Sequence, residues 1–374
     1  MRKIILITFF FFSICGCSVS PGPTLASPQP LPTSSPAAQV TPTDPPIPLV
    51  IPASGSKTYE INYRLGRGVN FGDALEAPNE GDWGVTLQAS YFTAIKSAGF
   101  NAIRVPIGWT FHAQKTAPYT IASEFFNRVD WVITQAKQNN LLVILDMHNY
   151  PEMMLDPKAE KGRFLALWEQ IASHYQDYPD DVLFELLNEP SGVLDYDIWN
   201  GLLKEVIPVV RKTNPQRVLI IGPAGWNGIT YLDSLELPED DQNIIVTVHY
   251  YNPMQLTHQG ASWVEGSRAW LGTTWAGSAA ERMIIRVDFD QAVHWAVTHN
   301  RPLFLGEFGC LSTADSASRL HWTSFIVHLA ETRQISWSYW NFADSAGDAP
   351  GFGAFDLAAN AWRQPLLNTL IPSQ

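Results

Sequence analysis

Two glutamates in this chain of 374 residues each follow a short apolar run. Glu189 lies in FELLNEP (184–190), and Glu307 lies in LFLGEFG (303–309). Hydrolysis of a glycosidic bond needs two carboxyl groups of this kind. One protonates the leaving oxygen, and the other, ionised, attacks or stabilises an oxocarbenium-like centre. The two motifs therefore predict cleavage of a glycosidic bond.

Each glutamate taken alone has a simpler interpretation, as a helix cap or a residue of an ordinary surface loop. The repetition of one context, an apolar run that ends in Glu, favours a paired function. Apolar runs without polar alternation are typical of buried parallel strands. In a barrel of such strands the carboxyl ends surround one open mouth, where catalytic groups collect.

The elements that must position the pair are short apolar strands that alternate with helical patterns. The sequence predicts eight strands, at Gly66–Asn70, Ala102–Ile107, Leu142–Asp146, Leu183–Leu187, Val218–Ile221, Ile244–Val248, Leu303–Gly306 and Ile335–Trp340. Between them it predicts amphipathic helices, among them Thr86–Ala98, Glu124–Asn139, Gly162–Tyr175, Tyr196–Lys212 and Phe289–Thr298. Eight such units indicate an α/β fold, a (β/α)8 TIM barrel. A doubly wound open sheet is the main alternative, but no Gly-x-Gly-x-x-Gly follows the first strand.

Polar or aromatic residues lie in or directly after six of these strands, and in a barrel they would converge on the mouth. Besides the two glutamates, they include Arg104, Asp146, His148, Asn149, Asn188, His249, Tyr251 and Trp340. One buried His or Arg is more often a structural group than a catalytic one. Six strand ends of this kind together favour a functional site.

Composition limits the class of ligand. The net charge is −12 and the pI about 5.1, without a basic run, which argues against nucleic acid. Aromatic residues make up 12% of the chain, and flat aromatic faces also suit sugar rings. A neutral ligand fits this surface better than a polyanion.

The amino terminus resembles an export device. Residues 1–17 combine Arg2 and Lys3 with an apolar stretch too short to cross a membrane, and ICGCS (14–18) resembles a bacterial lipobox with Cys17 as the lipidated residue. The alternative is an ordinary cleaved signal peptide. Residues 18–56 are rich in Pro, Ser and Thr and predict a disordered linker, which leaves 57–374 as the catalytic domain. That domain holds one cysteine, Cys310, and so no internal disulfide.

Longer strings make the resemblance specific. The domain from about Tyr59 to Leu370 resembles glycoside hydrolase family 5, in its bacterial endo-β-1,4-glucanase branch. The strings that carry the resemblance are GRGVNFGDALEAP (66–78), EGDWG (80–84), NEP (188–190), VHYYNP (248–253), THQG (257–260) and GEFG (306–309). The resemblance implies a retaining double displacement, with Glu307 as nucleophile and Glu189 as acid and then base.

The resemblance also implies roles for the neighbours. Arg104 and Tyr251 would keep Glu307 ionised, while Glu189 needs a raised pKa to carry a proton near neutral pH. Asn188 would hold the sugar 2-hydroxyl, and His148 and His249 would orient hydroxyls and carboxylates. Trp340 would form the floor beneath the reacting ring, and the other implied sugar-contacting residues are Asn70, Glu76 and Trp226. For Trp226 a position in the core is an equally supported alternative.

Two departures from the family pattern concern substrate choice. His148 is followed by Asn149, where relatives often carry a second histidine, and we expect Asn149 to affect sugar preference. The segment 341–350 is longer than usual and would lie at the rim of the cleft.

The sequence thus predicts a surface-tethered or secreted, monomeric endo-β-1,4-glucanase that acts on cellulose-like or mixed-linkage β-glucan. A β-mannanase or dual glucanase and mannanase is the nearest alternative, and a non-hydrolytic glycan-binding lipoprotein is the alternative from another class. No metal or cofactor is expected, because the sequence contains no His-Glu-x-x-His motif. A serine hydrolase is not expected either, because the sequence contains no Gly-x-Ser-x-Gly motif. We expect the Cys310 thiol to be buried packing, and membrane contact only through Cys17. Motifs do not rank glucan against mannan, xylan or xyloglucan.

Overall fold

A computed structural model describes residues 56–344 and 350–372. Within these residues eight parallel strands pair in sequence order and close a barrel. The strands are β1 Arg67–Asn70, β2 Ala102–Ile107, β3 Leu142–Met147, β4 Val182–Glu185, β5 Leu219–Ile221, β6 Ile244–His249, β7 Leu303–Glu307 and β8 Ser336–Tyr339. The predicted (β/α)8 barrel is confirmed.

Helices surround the barrel and connect its strands. They are α1 Lys57–Leu65, α2 Ala89–Ala98, α3 Ser123–Gln138, α4 Pro151–Leu155, α5 Pro157–His174, α6 Tyr196–Arg211, α7 Met254–Thr257, α8 Ala279–His299, α9 Ser316–Thr332 and α10 Gln364–Leu370. The crossover from β5 to β6 carries only a short 3₁₀ helix, Ile229–Ser234, and a small hairpin of β9 Phe355–Asp356 and β10 Ala361–Trp362 follows β8.

The strands are apolar on both sides because both sides are buried. One set of alternate residues packs outward against the helices in the large core. The other set fills the barrel interior as a separate small cluster, which Ile61 and Leu65 of α1 close from below. The interior is therefore a packed plug at the amino-terminal end of the strands.

Above that plug the inward positions become charged. Arg104, Asp146 and Glu185 each lie two positions beyond an apolar residue of the interior cluster, on β2, β3 and β4. Successive side chains of a strand alternate between faces, so a spacing of two keeps all three inside the barrel. All three are 0% exposed. The strand period thus places a layer of buried charge directly beneath the mouth.

Three boundaries differ clearly from the sequence prediction. Helix α5 begins at Pro157, five residues before the predicted Gly162. Helix α8 begins at Ala279, ten residues before the predicted Phe289, with Ser278 and Glu281 forming a capping box. Its first turns expose apolar residues, Met283 and Ile284, and so lack the amphipathic spacing used for the prediction. Strand β4 ends at Glu185, two residues before the predicted Leu187, and Leu186 and Leu187 are buried although they lie beyond the strand.

Some predictions lie outside the described residues. They are the signal segment 1–17 with Cys17, the linker as far as residue 55, and residues 345–349 of the long rim segment. Among the helices of the described part, none combines the length and apolarity needed to cross a membrane. The domain boundary near residue 57 stays a prediction.

Candidate active site

The two glutamates meet at the carboxyl ends of β4 and β7. Glu307 is the last residue of β7, and Glu189 lies four residues beyond β4 in a left-handed conformation with φ +46°. One oxygen of each carboxyl group and one ring nitrogen of His249 all lie within 4.8 Å of one another. Retaining glycosidases hold their carboxyl groups about 5–5.5 Å apart and inverting ones roughly 6.5–9.5 Å apart. An oxygen-to-oxygen distance of no more than 4.8 Å is on the side of the shorter, retaining separation.

Strong donors hold the carboxylate of Glu307 on both oxygens. The Arg104 guanidinium donates to Oε1 at 2.7 Å, and the Tyr251 hydroxyl donates to Oε2 at 2.9 Å. Burial, together with the charge of Glu307, raises the pKa of Tyr251 well above its usual value, so this hydroxyl keeps its proton. The Glu307 side chain is 7% exposed. It is therefore fixed in orientation, with its negative charge stabilised, as a nucleophile requires.

Arg104 is the centre of the buried polar layer. Its guanidinium donates to the carboxylates of Glu185 and Glu307 and to the side-chain amide oxygens of Asn70 and Asn188. It also forms an ion pair with Asp146 at 2.9 Å. The contact with Glu185 is bidentate, at 2.7 and 2.9 Å. Burial by itself lowers the pKa of Arg104, but the neighbouring carboxylates raise it well above its usual value. Arg104 is thus a permanent cation that organises the whole layer.

Glu185 is a site residue that was not predicted from the sequence, and Asp146 was predicted only as part of a strand end. Burial raises the pKa of Asp146 to about 7 and also raises the pKa of Glu185, against the opposing charge of Arg104. A detectable signal was present, because a charged residue inside an apolar strand, two positions beyond a buried Leu or Ile, must face the barrel interior. Glu185 was not predicted because it lies inside its strand and not at the polar end after it.

Glu189 has a different environment. Its Oε1 lies 2.8 Å from His249 Nδ1, and its side chain is 28% exposed to the mouth. Burial raises the pKa of Glu189 to about 7, while the nearby His148 and Arg104 act in the opposite direction. The expected raised pKa is confirmed. Glu189 can therefore hold a proton near neutral pH.

A chain of contacts orients Asn188 and His148. Asp146 Oδ2 lies 2.6 Å from His148 Nδ1, and the Asn188 amide nitrogen lies 3.4 Å from His148 Nε2. Burial lowers the pKa of His148 to about 4, so the ring is neutral at neutral pH. The Asn188 oxygen accepts a hydrogen bond from Arg104 at 2.9 Å, which leaves its amide nitrogen facing His148. The assigned contacts of Asn188 and His148 with sugar stay predictions.

The two tryptophans differ in exposure. Trp340 is partly buried, with its ring nearly parallel to that of His148 at a centroid distance of 5.6 Å and an interplanar angle of 8°. Trp226 is 52% exposed, and its backbone N–H donates to the carbonyl of Pro190, next to Glu189. Because Trp226 is exposed, the alternative that it is a core residue is excluded. Both indole rings remain predicted sugar contacts.

Asn70 and Glu76 lie deeper than the sequence prediction implied. Asn70 is 0% exposed, and its amide donates to the Gly306 carbonyl at 3.0 Å while its oxygen accepts from Arg104. Glu76 is 2% exposed, and its carboxylate accepts from the backbone N–H groups of Asp73 and Ala74. In the structure both residues brace the wall of the site, and a direct sugar contact by either one stays a prediction.

Asn149 connects two loops of the mouth. Its amide donates to the Glu76 carbonyl at 2.9 Å, and its carbonyl accepts from the Thr110 hydroxyl at 3.0 Å. The end of β3 is thereby joined to the loop after β1 and to the segment after β2. An effect of Asn149 on sugar preference would act through this connection, and it stays a prediction.

The described ends of the rim segment 341–350 are held by polar contacts. The Asp344 carboxylate accepts from the Gly353 N–H at 2.8 Å, and the Asn341 amide lies 3.3 Å from Asp73 Oδ2. Burial and the charge of Asp344 raise the pKa of Asp73 to about 6. Asp73, a partly buried acid beside this segment, was not predicted from the sequence.

Two further candidates for chemistry are the Cys310 thiol and a metal site at the two glutamates. Cys310 is 0% exposed, burial raises its pKa to about 12, and the expected packing role is confirmed. Glu189, His249 and Glu307 also have a spacing that metal ligands use. The Arg104 guanidinium already supplies a cation at 2.7 Å from Glu307 and would repel a second one. The absence of a metal stays a prediction.

Comparison with known proteins agrees with this geometry. The model of the family described as Cellulase (glycosyl hydrolase family 5) matches residues 66–346. Endoglucanase H of Acetivibrio thermocellus is 33% identical over 293 residues, which are 78% of this chain and 31% of that protein. Endoglucanase B of Clostridium cellulovorans is 29% identical over 80% of this chain and 71% of that protein. This chain thus spans less than a third of the first relative.

Solved structures give a similar result over more of the neighbour's length. Thermotoga maritima Cel5A in complex with mannotriose is 46% identical, with a TM-score of 0.81, over 84% of this chain and 99% of that one. The same enzyme in complex with cellobiose is 47% identical, with a TM-score of 0.81 and the same two coverages.

Proposed function

The chain belongs to the cellulase family, glycosyl hydrolase family 5, and from this premise we propose that it is a retaining endo-β-1,4-glucanase of cellulose-like or mixed-linkage β-glucans. One observation carries the mechanism: two carboxyl groups with oxygens within 4.8 Å of each other have unlike surroundings. Glu307 is clamped by two donors, and Glu189 has a pKa of about 7. Such unlike environments separate a nucleophile from an acid.

In the first step Glu307 attacks the anomeric carbon, and a bond forms between its oxygen and that carbon. The glycosidic bond breaks, and Glu189 gives its proton to the departing oxygen. Arg104 and Tyr251 direct the attacking carboxylate. The Asn188 amide contacts the 2-hydroxyl, and Trp340 supplies the floor under the reacting ring.

In the second step water attacks the same carbon from the face that the leaving group vacated. Formation of the ester removes the negative charge of Glu307, and the loss of that charge lowers the pKa of Glu189. Glu189, now ionised, takes a proton from the water, and the ester bond breaks. Two inversions give a product with the original β configuration.

The relatives support a glucan substrate, since those compared above are named endoglucanases. The Cel5A neighbour favours a second candidate, dual action on glucan and mannan, because that enzyme is described with both cellobiose and mannotriose. Glucose and mannose differ at the 2-hydroxyl, which lies next to the anomeric carbon. The contacts of Asn188 and His148 would therefore decide between the two sugars.

Reducing-sugar release from carboxymethylcellulose, barley β-glucan, glucomannan and galactomannan tests the substrate class. We would use the purified full chain, Glu307→Gln, and Glu239→Gln, an exposed glutamate, as the matched control. Release from the glucans that disappears only in Glu307→Gln supports the glucanase. Comparable release from galactomannan supports dual action, and no release from any substrate favours the glycan-binding alternative.

Azide added to the two glutamate variants tests the assignment of roles. With an aryl β-cellobioside, azide can replace the missing nucleophile in the Glu307→Gly protein and gives an α-glycosyl azide. In the Glu189→Gly protein azide attacks the ester intermediate and gives the β-glycosyl azide. The anomer is identified by proton NMR. The reverse pattern would exchange the two roles.

We also propose that the protein is exported and held at the cell surface by acylated Cys17, on the basis of the basic and apolar segments before ICGCS. Cys17→Ala should release the chain into the medium, whereas Cys15→Ala should leave it with the membrane fraction. Release of both variants, or of the unmodified chain, would favour a plain secreted enzyme. A monomeric state stays a prediction.

A further inference from the structure

Asn227 lies in the loop after β5, directly behind the site. It is 0% exposed and has a left-handed backbone, with φ +54°. Its carbonyl accepts the His249 N–H at 2.9 Å, and its amide nitrogen lies 3.3 Å from His249 Nε2. The other ring nitrogen, Nδ1, lies 2.8 Å from Glu189 Oε1. Asn227 therefore contacts the histidine on the side opposite to Glu189.

These contacts select a tautomer of His249. In this orientation of the amide, which leaves Asn227 Oδ1 without a hydrogen-bond partner among the described residues, the nitrogen faces Nε2. An amide nitrogen can only donate, so this arrangement requires Nε2 to be the unprotonated ring nitrogen. The single proton of a neutral ring then resides on Nδ1 and is donated to Glu189. Burial lowers the pKa of His249 to about 4, which agrees with a neutral ring. The contact with Asn227, which lies behind the site, thus determines which ring nitrogen of His249 carries the proton.

Gly222 and Gly306 allow the Asn227 amide and the His249 ring to pack closely against the backbone. A Cβ on Gly222 would lie 2.2 Å from Asn227 Oδ1, and a Cβ on Gly306 would lie 3.0 Å from His249 Nε2. The amide and the ring therefore pack directly against backbone. Movement of either toward these strands is blocked.

We propose that Asn227 is a positioning residue that holds His249 as the Nδ1–H tautomer and so keeps the Glu189 proton available for the leaving group. This inference rests on the acid role of Glu189 proposed above. In the opposite tautomer the bare Nδ1 would face Glu189 and accept its proton in a hydrogen bond. The acid would then be directed at the ring instead of the glycosidic oxygen.

Other charged groups also act on His249. Its Nδ1 lies 3.7 Å from Glu307 Oε2, and the charges of Arg104, Glu185 and His148 contribute to its environment. A test must leave these groups unchanged. Substitution of Asn227 does so, because Asn227 contacts none of them within hydrogen-bond distance among the described contacts.

Asn227→Gly removes the amide, and glycine accepts the left-handed backbone. Asn227→Asp instead offers Nε2 only an acceptor. The matched control is Asn140→Gly, since Asn140 also has a left-handed backbone, with φ +53°, but is exposed between α3 and β3.

The tautomer is read by NMR of the full chain with ¹⁵N-labelled histidine at about pH 6, with His249→Gln used to assign the signal. We expect a proton on Nδ1 in the parent and in Asn140→Gly. In Asn227→Asp we expect the proton on Nε2, and in Asn227→Gly an increased Nε2–H fraction. A proton on Nε2 in the parent, or no change in either Asn227 variant, would overturn the proposal.

Kinetics test the consequence for the acid. A phenyl β-cellobioside needs protonation of its leaving group, whereas a dinitrophenyl one does not. We expect Asn227→Gly to lower kcat/KM about tenfold for the phenyl substrate and less than about twofold for the dinitrophenyl one, within the range of general acid catalysis. Any other pattern, including equal losses, would contradict the acid-positioning role. Inactivity of the parent itself would refute the proposed function, while the NMR result would still decide the tautomer.

Discussion

Two buried arginines lie at opposite ends of this barrel and have different partners. Arg104, under the mouth, contacts three carboxylates. Arg217, just before β5 at the amino-terminal end, donates to four backbone carbonyls, those of Tyr175, Tyr178, Pro179 and Val182, and to the Asn214 side chain. No carboxylate lies within ion-pair distance of Arg217 among the described residues.

The difference shows that a buried arginine can serve stability, as at the amino-terminal end, or function, as at the mouth. At the amino-terminal end a guanidinium satisfies carbonyls that would otherwise be buried without partners, and burial lowers its pKa. At the mouth one guanidinium serves three carboxylates, an excess of negative charge that packing alone would not select. The excess makes sense if one carboxylate is a nucleophile.

The largest expected effect is that of Glu307→Gln, which removes one carboxylate from the crowded end. We expect kcat to fall roughly 10⁴-fold or more, as for the loss of other nucleophiles. The free energy of unfolding should not fall, because two carboxylates then share Arg104 with less repulsion. Initial rates on β-glucan and urea unfolding measure both quantities. A protein that loses both activity and stability would contradict the idea of excess charge at the mouth.

Arg104→Lys should lower kcat by about 10²-fold, within the range for loss of one electrostatic contact in an active site. An ammonium keeps the charge but cannot make the bidentate contact with Glu185 and also reach Glu307. Steady-state kinetics on β-glucan measure the loss. Activity within about threefold of the parent would mean that charge alone suffices.

Arg217→Lys is the matched substitution at the other end. It should leave kcat unchanged and lower the free energy of unfolding by about 2–4 kcal/mol, since several buried carbonyls lose their donors. Urea unfolding and the same kinetic assay measure the two outcomes. A fall in kcat without a loss of stability would erase the contrast between the two ends.

The smallest expected effect concerns pH. The pKa of Glu189 is about 7 in the folded chain against an ordinary value of 4.5, so the folded state binds the proton more tightly. Glu189 therefore contributes a loss of stability as pH rises from about 4.5 to about 7, and kcat/KM should fall above about pH 7, where the acid is ionised.

Comparison of the parent with Glu189→Gln isolates this contribution, because Glu76 and Asp146, whose pKa values are also raised, are present in both proteins. Urea unfolding at about pH 5 and about pH 8 should show a smaller loss of stability in Glu189→Gln. Equal losses would show that Glu189 titrates normally in the folded chain.

Local pattern was enough for much of the fold. Strand β2 was predicted with its observed bounds because both faces of a barrel strand are buried, which leaves a run that is apolar except for Arg104. The start of helix α8 was predicted ten residues too late because its first turns expose apolar side chains. Prediction of a helix from the spacing of apolar residues fails where those residues are exposed instead of buried.

The sequence by itself determined the eight-stranded barrel, the family and the two glutamates at strand ends, since each depends on residues close together along the chain. The tertiary structure decided which neighbours each glutamate acquired. Arg104 and Glu307 lie 203 positions apart, and His249 and Glu189 lie 60 apart. The pKa of Glu189, the sharing of Arg104 with Glu185 and the contact of Asn227 with His249 exist only after the barrel closes. They arise from burial and from distances of about 3 Å that no local pattern encodes.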